Sequence, residues 1–216
     1  MGPRAFASLE LARAGRGMSG WGASVARAVA GASLALTLAL ALALPALALE
    51  IGEQVAPFTA QDARGKAHSL DGALEEGRIL VLVVWKSGSP HCKTYGPRLE
   101  KLKQRYGKRV TFLALAPDRD ETAASVLAGM RDAGITFPVL LDPGGPISRR
   151  LDAVTTPTVY LIDRAKRLRY KGAIDDDPLG NKPQRAEYLA EAVDAVLAGK
   201  TPPRTKTGGP GFKIEY

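Results

Sequence analysis

The sequence predicts an α/β fold, a central mixed β-sheet flanked by helices. Three observations carry that expectation. Segments 78–85, 110–116 and 158–162 are short runs of leucine, β-branched and aromatic residues. Longer stretches of helical character, 90–106 and 121–133, separate them. The chain then closes with a strand, a turn, a second strand and a helix. Strands alternating with helices bury both faces of a sheet, and a terminal hairpin adds antiparallel strands to it.

Each element has a local reason. Residues 57–70 read as a hairpin turning at Arg64-Gly65. Strand 78–85, Arg-Ile-Leu-Val-Leu-Val-Val-Trp, is apolar on both faces and suits the sheet centre. Helix 90–106 opens on Pro90, where a missing N–H costs nothing, and is expected to kink at Pro97. Strand 110–116 follows, then helix 121–133, which Gly134 closes. Residues 137–141 form a short apolar piece and 147–151 a helical turn. Strand 158–162 turns through 163–166 into a fourth strand at 167–170. A last helix spans 184–198, and Gly199 ends it. No internal repeat is evident.

Residues 1–48 read as a leader and not as fold. Arginines precede an uncharged Ala/Leu run from Ala28 to Leu44, Pro45 breaks it, and Ala46-Leu47-Ala48 supplies small residues for a signal peptidase. Cleavage is expected after Ala48, and Met18 is an alternative start. A retained N-terminal membrane anchor is the alternative, because Ala28 to Leu49 nearly suffices to span a bilayer. Either way the domain belongs outside the cytoplasm, secreted, periplasmic or in the cell envelope. Residues 49–199 then form one domain, and 200–216, rich in Pro, Gly, Lys and Thr, form a flexible tail. About 168 residues are enough for a sizeable core.

Formal net charge is +8, of which the leader holds +3. The remaining basic residues are interleaved with acids, as in Glu100-Lys101-Leu102-Lys103, and read as solvated surface. The chain shows no basic stripe with aromatics, so nucleic acid is not an expected partner. Nor does it show a Gly-rich phosphate loop after a strand or a Cys/His spacing for zinc or c-type haem. Neither a cofactor nor a metal is expected. Asp175-Asp176-Asp177 offers oxygen ligands but lacks the glycine and distal glutamate of a calcium loop, so it reads as a solvated loop.

The informative motif is Trp85-Lys86-Ser87-Gly88-Ser89-Pro90-His91-Cys92-Lys93, between a buried strand and a helix. It resembles the active-site loop of thioredoxin-like proteins, where a tryptophan precedes Cys-x-x-Cys. Pro97 matches that family's helix proline, and Thr156-Pro157-Thr158 resembles the cis-proline loop that faces the dithiol. Residues 57–70 and 137–142 resemble the redoxin branch, which joins thiol peroxidases with TlpA/ResA-type thioredoxins. The resemblance spans about residues 51–199 and implies a thioredoxin-like fold with thiol redox chemistry.

One departure is plain. Ser89 stands where the family has its nucleophilic cysteine, and Cys92 is the chain's one cysteine. A serine hydroxyl does not ionise near neutral pH, so ordinary dithiol exchange is in doubt. Peroxidatic cysteines of the peroxiredoxins have Ser or Thr three residues earlier, as Ser89 is here, but the proline seven residues earlier is Trp85 instead.

Two readings of Cys92 stay open. As a residue in a helix's first turn, capped by Ser89 and near His91 and Lys93, its thiolate is favoured. As the counterpart of a second motif cysteine, it is a buried and inert thiol. The expected catalytic pair is therefore Cys92 and Ser89. Trp85, His91, Lys93, Thr156 and Pro157 would line the substrate site, with Trp85 and Tyr95 also serving as packing and His91 lying in an exposed loop. Expected partners are thiol or disulfide proteins or a peroxide, with an external thiol as reductant. Three functions fit: a one-cysteine antioxidant oxidoreductase, a non-catalytic polypeptide-binding module, and a thioredoxin in which Ser89 replaced a cysteine.

Overall fold

A computed structural model describes residues 49–216 except residue 210. The expectations for 1–48, a signal peptide or an anchor, lie outside the described residues. Strand β1 (Thr59–Gln61) pairs antiparallel with β2 (Ala67–Ser69), forming the expected hairpin. Asp62 closes its turn by accepting from the Arg64 and Lys66 amides. Short helix α1 (Leu70–Ala73) follows, capped by Ser69.

Strand β3 (Ile79–Val84), helix α2 (Pro90–Tyr106), strand β4 (Val110–Ala116) and helix α3 (Ala123–Ala133) form the first half of the domain. The helix α3 starts with a capping box between Thr122 and Ser125 and ends on Gly134 with left-handed φ, as that glycine's position suggested. Then come β5 (Val139–Leu141), α4 (Pro146–Arg150), β6 (Thr155–Thr156), β7 (Thr158–Ile162), β8 (Leu168–Gly172), α5 (Tyr188–Leu197) and β9 (Phe212–Lys213). Helix α2 continues through Pro97 to Tyr106. Helix α5 begins four residues later than expected, because residues 184–187 are taken up by contacts with the Asp175–Asp177 loop.

The main sheet has strand order β5-β4-β3-β7-β8. The pairs β3–β4 and β4–β5 are parallel, while β3–β7 and β7–β8 are antiparallel. The sheet is thus mixed, with β3 at its centre.

Period-two alternation splits β3 between two cores. Ile79, Val81 and Val83 face a core built with α2, α3 and α5, through Leu99, Met130 and Val193. Leu80, Leu82 and Val84 face a second core with Phe58, Leu70, Ile147 and Leu151. That second core also contains Ile214, and Tyr216 packs against it.

This last contact corrects the expectation of a flexible tail. The C-terminal segment belongs to the same compact unit as the domain. Apolar residues at 212, 214 and 216 give it a strand-like pattern, and β9 pairs antiparallel with β6. Composition hid this, because Pro and Gly dominate the stretch before it. Among the described residues no helix is long and apolar enough to cross a membrane.

Candidate active site

The site begins where β3 ends. Trp85 continues the strand, donating its amide to Leu115 O at 2.8 Å, and its side chain is buried. The chain then turns through 86–88 into α2. Two acidic residues from the β4–α3 connection fix this turn. Glu121 accepts from the Ser87 amide at 2.5 Å, and Asp118 Oδ2 lies 2.5 Å from Lys86 Nζ. The Asp118 partnership raises the Lys86 pKa, since the carboxylate stabilises the ammonium.

Ser89 is the N-cap of α2. Its hydroxyl oxygen accepts from the Cys92 amide at 3.4 Å, and Pro90 occupies the first helical turn. Cys92 therefore sits in the first turn, as the spacing implied. Its side chain, however, is 1% exposed and belongs to the buried core that also holds Trp85, Tyr95 and Leu99.

The outcome for its acidity is the reverse of a helix-start thiolate. Burial pushes the Cys92 pKa up to about 11, and the Glu121 and Asp118 charges push the same way. Hydrogen bonds with the Lys86 backbone and Ser89 oppose this and are outweighed. Desolvation in an apolar setting beats a partial dipole charge. At pH 7 roughly one such thiol in ten thousand is ionised, against a few per cent of free cysteine.

The remaining expected site residues fall into two groups. Thr156 and Pro157 are buried, and the bond between them is cis. His91 lies in α2 itself and is half-buried, which corrects the exposed-loop expectation. Its ring stacks on Phe212, with centroids 5.2 Å apart. Phe212 in turn is the β-ladder partner of Thr156. The structure thus joins His91, Phe212 and Thr156 in one row beside the start of α2. Lys93 is exposed on the helix and belongs to no such row.

Sequence reasoning missed Asp118, Glu121 and Phe212. Asp118 is 3% exposed and joins the active-site turn to the C-terminal segment, because its Oδ1 accepts from the Glu215 amide at 3.0 Å. The two acids stand in a loop of mixed charges, and nothing in their spacing marks them. Phe212 carried a signal, an aromatic that begins an alternating apolar pattern.

The Asp175–Asp177 loop is also not the solvated loop expected. Asp175 and Asp177 are buried, and Arg98 of α2 reaches both, at 2.7 and 3.3 Å. Arg185 adds a contact to Asp175 at 3.3 Å, so cations of the chain itself satisfy the cluster. Among the described residues no group of His, Cys, Asp and Glu is placed to hold a metal ion.

A mixed sheet with a strand–turn–helix thiol site and a cis-proline loop beside it defines a thioredoxin-like protein of the redoxin kind. The chain belongs to the AhpC/TSA family, whose model matches residues 51–171, more than half of its length. It is similar to the thioredoxin-like protein YneN of Bacillus subtilis, 26% identical over 137 residues, 62% of this chain and 74% of that one. It is also similar to the thiol-disulfide oxidoreductase ResA of Bacillus thuringiensis, 30% identical over 117 residues. That match takes in 54% of this chain and 65% of the relative, just under two thirds of its length. Among solved structures, protein SMc02350 of Sinorhizobium meliloti superposes with a TM-score of 0.71 at 28% identity, covering 78% of this chain and 96% of that one. The resemblance read from the motif to the redoxin branch is borne out, and so is the fold.

Proposed function

We propose that the chain is an extracytoplasmic thiol-dependent oxidoreductase of the redoxin class that works through Cys92 alone. One observation carries this reading: the chain's only thiol stands in the first turn of the active-site helix, in a family with thiol-disulfide oxidoreductases among its relatives. Either a peroxide or a protein disulfide is the electrophile. With a peroxide, the Cys92 sulfur attacks one oxygen, the O–O bond breaks, and water or an alcohol leaves. Cys92 becomes a sulfenic acid. An external thiol then forms a mixed disulfide and releases water. A second thiol frees Cys92 and leaves with the first as a disulfide. One peroxide is reduced and two thiols are oxidised.

In this scheme Ser89 holds the helix start and cannot replace the missing thiolate. The buried, protonated Cys92 is the resting form, and turnover belongs to an opened site. The leader pattern of residues 1–48 supports placement in the envelope, cleaved or anchored.

The test is peroxide consumption with an external thiol, together with dimedone trapping of the sulfenic acid. Cys92→Ser should abolish both. An unchanged consumption rate in that variant refutes the reading.

A second reading is favoured by the burial of Cys92 and by the edge of β6, which already pairs with an extended segment of the chain itself. Here the chain is a polypeptide-binding module without redox turnover. Partners captured equally well by Cys92→Ser would support it, and dependence of capture on a mixed disulfide would count against it.

A further inference from the structure

The row beside the active-site helix is filled by the chain's own C-terminus. Strand β9 pairs with β6 in the register Thr155↔Lys213 and Thr156↔Phe212. The Ile214 amide extends the ladder by donating to Val154 O at 3.0 Å. Phe212 stacks on His91, Ile214 is 4% exposed, and the Tyr216 hydroxyl donates to Ala153 O at 2.6 Å. Alternate residues therefore face the domain, as in a docked strand. Two glycines make room for this approach. A Cβ on Gly211 would come within 2.9 Å of Thr156 O, and one on Gly145 would overlap the Tyr216 ring. Asp118 ties the segment to the active-site turn, accepting from Glu215 on one oxygen and pairing with Lys86 on the other.

The attachments are of unequal strength along the segment. Strand β9 itself has two residues, with one further backbone bond from Ile214, and Phe212 is 45% exposed. The adjoining main sheet has strands of five to seven residues in β3, β4 and β7. So short a ladder with a half-exposed anchor is the kind of element that opens without unfolding the rest.

We propose that residues 211–216 are a displaceable strap that occupies a strand-acceptor groove. An incoming extended polypeptide with the same alternation, aromatic–x–aliphatic–x–aromatic, takes its place by pairing with Thr155–Thr156. The strap thus holds the groove closed, and when it leaves, Asp118 loses the Glu215 amide from one oxygen while its other oxygen still pairs with Lys86. This goes beyond the redox reading, since it holds whether or not Cys92 turns over.

Hydrogen exchange of the full chain, followed by mass spectrometry, tests the strap directly. The Ile214 and Glu215 amides are expected to exchange at least about ten-fold faster than those of Val81 and Val83. Equal protection would make the segment an integral strand and overturn the proposal. Binding of a fluorescent peptide of residues 208–216 tests the groove. A chain ending at Thr207, its fold checked by circular dichroism, should bind the peptide. The full chain should bind it at least about ten-fold more weakly, and so should the truncated chain when the peptide carries Phe212→Ala. Equal binding to both chains, or none to the folded truncated chain, overturns the proposal. Should the truncated chain not fold, the exchange result alone decides.

Discussion

Replacing Cys92 by alanine should change stability in opposite directions at neutral and alkaline pH. At pH 7 the protonated thiol fills space in the buried core that also holds Trp85, Tyr95 and Leu99. Its loss leaves a small void, which costs about 1 kcal/mol, as for removal of one buried methyl-sized group. Alkaline pH brings the second effect. The native thiol titrates near 11, above its ordinary value of 9.0. The folded state therefore keeps a proton that the unfolded chain gives up. That contribution is fully present below pH 9 and is lost as pH rises from 9 to 11. At about 1.4 kcal/mol per pKa unit, the wild type gives up about 1 kcal/mol by pH 10 and about 2 kcal/mol by pH 11. The alanine variant does not. The two stability curves should therefore cross near pH 10, and above that the variant should be the more stable. Urea unfolding midpoints of both proteins at pH 7, 9, 10 and 11 measure this. The comparison cancels the buried tyrosines and the lysines, which both chains share. Parallel curves would refute the reasoning, as would native Cys92 alkylation whose rate rises through the ordinary value of 9.0.

Other outcomes follow from single contacts. Ser89→Ala should cost up to about 1 kcal/mol in thermal or chemical unfolding, at the low end for a cap because its bond to the Cys92 amide is 3.4 Å long. Ser89→Cys restores the two-cysteine spacing, and insulin reduction by that variant would show that the surrounding groove still supports dithiol exchange. Arg98→Met should destabilise the domain by up to about 3 kcal/mol, because buried Asp177 loses its cation and buried Asp175 keeps only the Arg185 contact. Calcium should not restore the loss, and a calcium-dependent rise in melting temperature would revive the metal reading of that loop. Asp118→Ala should release both Lys86 and the Glu215 amide, read as faster exchange at Glu215 with β3 still protected.

Much of this molecule was legible in local pattern. The run Ile79–Val84 reads as a central strand because every residue is apolar, and its two faces each find a core. The α2 start reads from Ser89 and Pro90, since capping and N1 proline are properties of a few adjacent residues. Family and fold followed from the Trp85–Lys93 and Thr156–Thr158 motifs together. Local pattern also placed Cys92 in the first helical turn.

What it did not decide is the state of that thiol. Acidity depends on which groups surround the sulfur, and two of them, Glu121 and Asp118, arrive from the far end of β4. Burial then outweighed the helix start. The same holds for the C-terminus. Its composition resembles that of a loose linker, and only the β6 edge, the His91 ring and the second core turn Phe212, Ile214 and Tyr216 into a docked strand. By itself the sequence determined the fold, the family and the position of the thiol, because these rest on short-range periodicity and capping. Tertiary structure alone decided that the thiol is buried and that the groove beside it is already occupied, because desolvation and strand pairing depend on residues far apart in the chain.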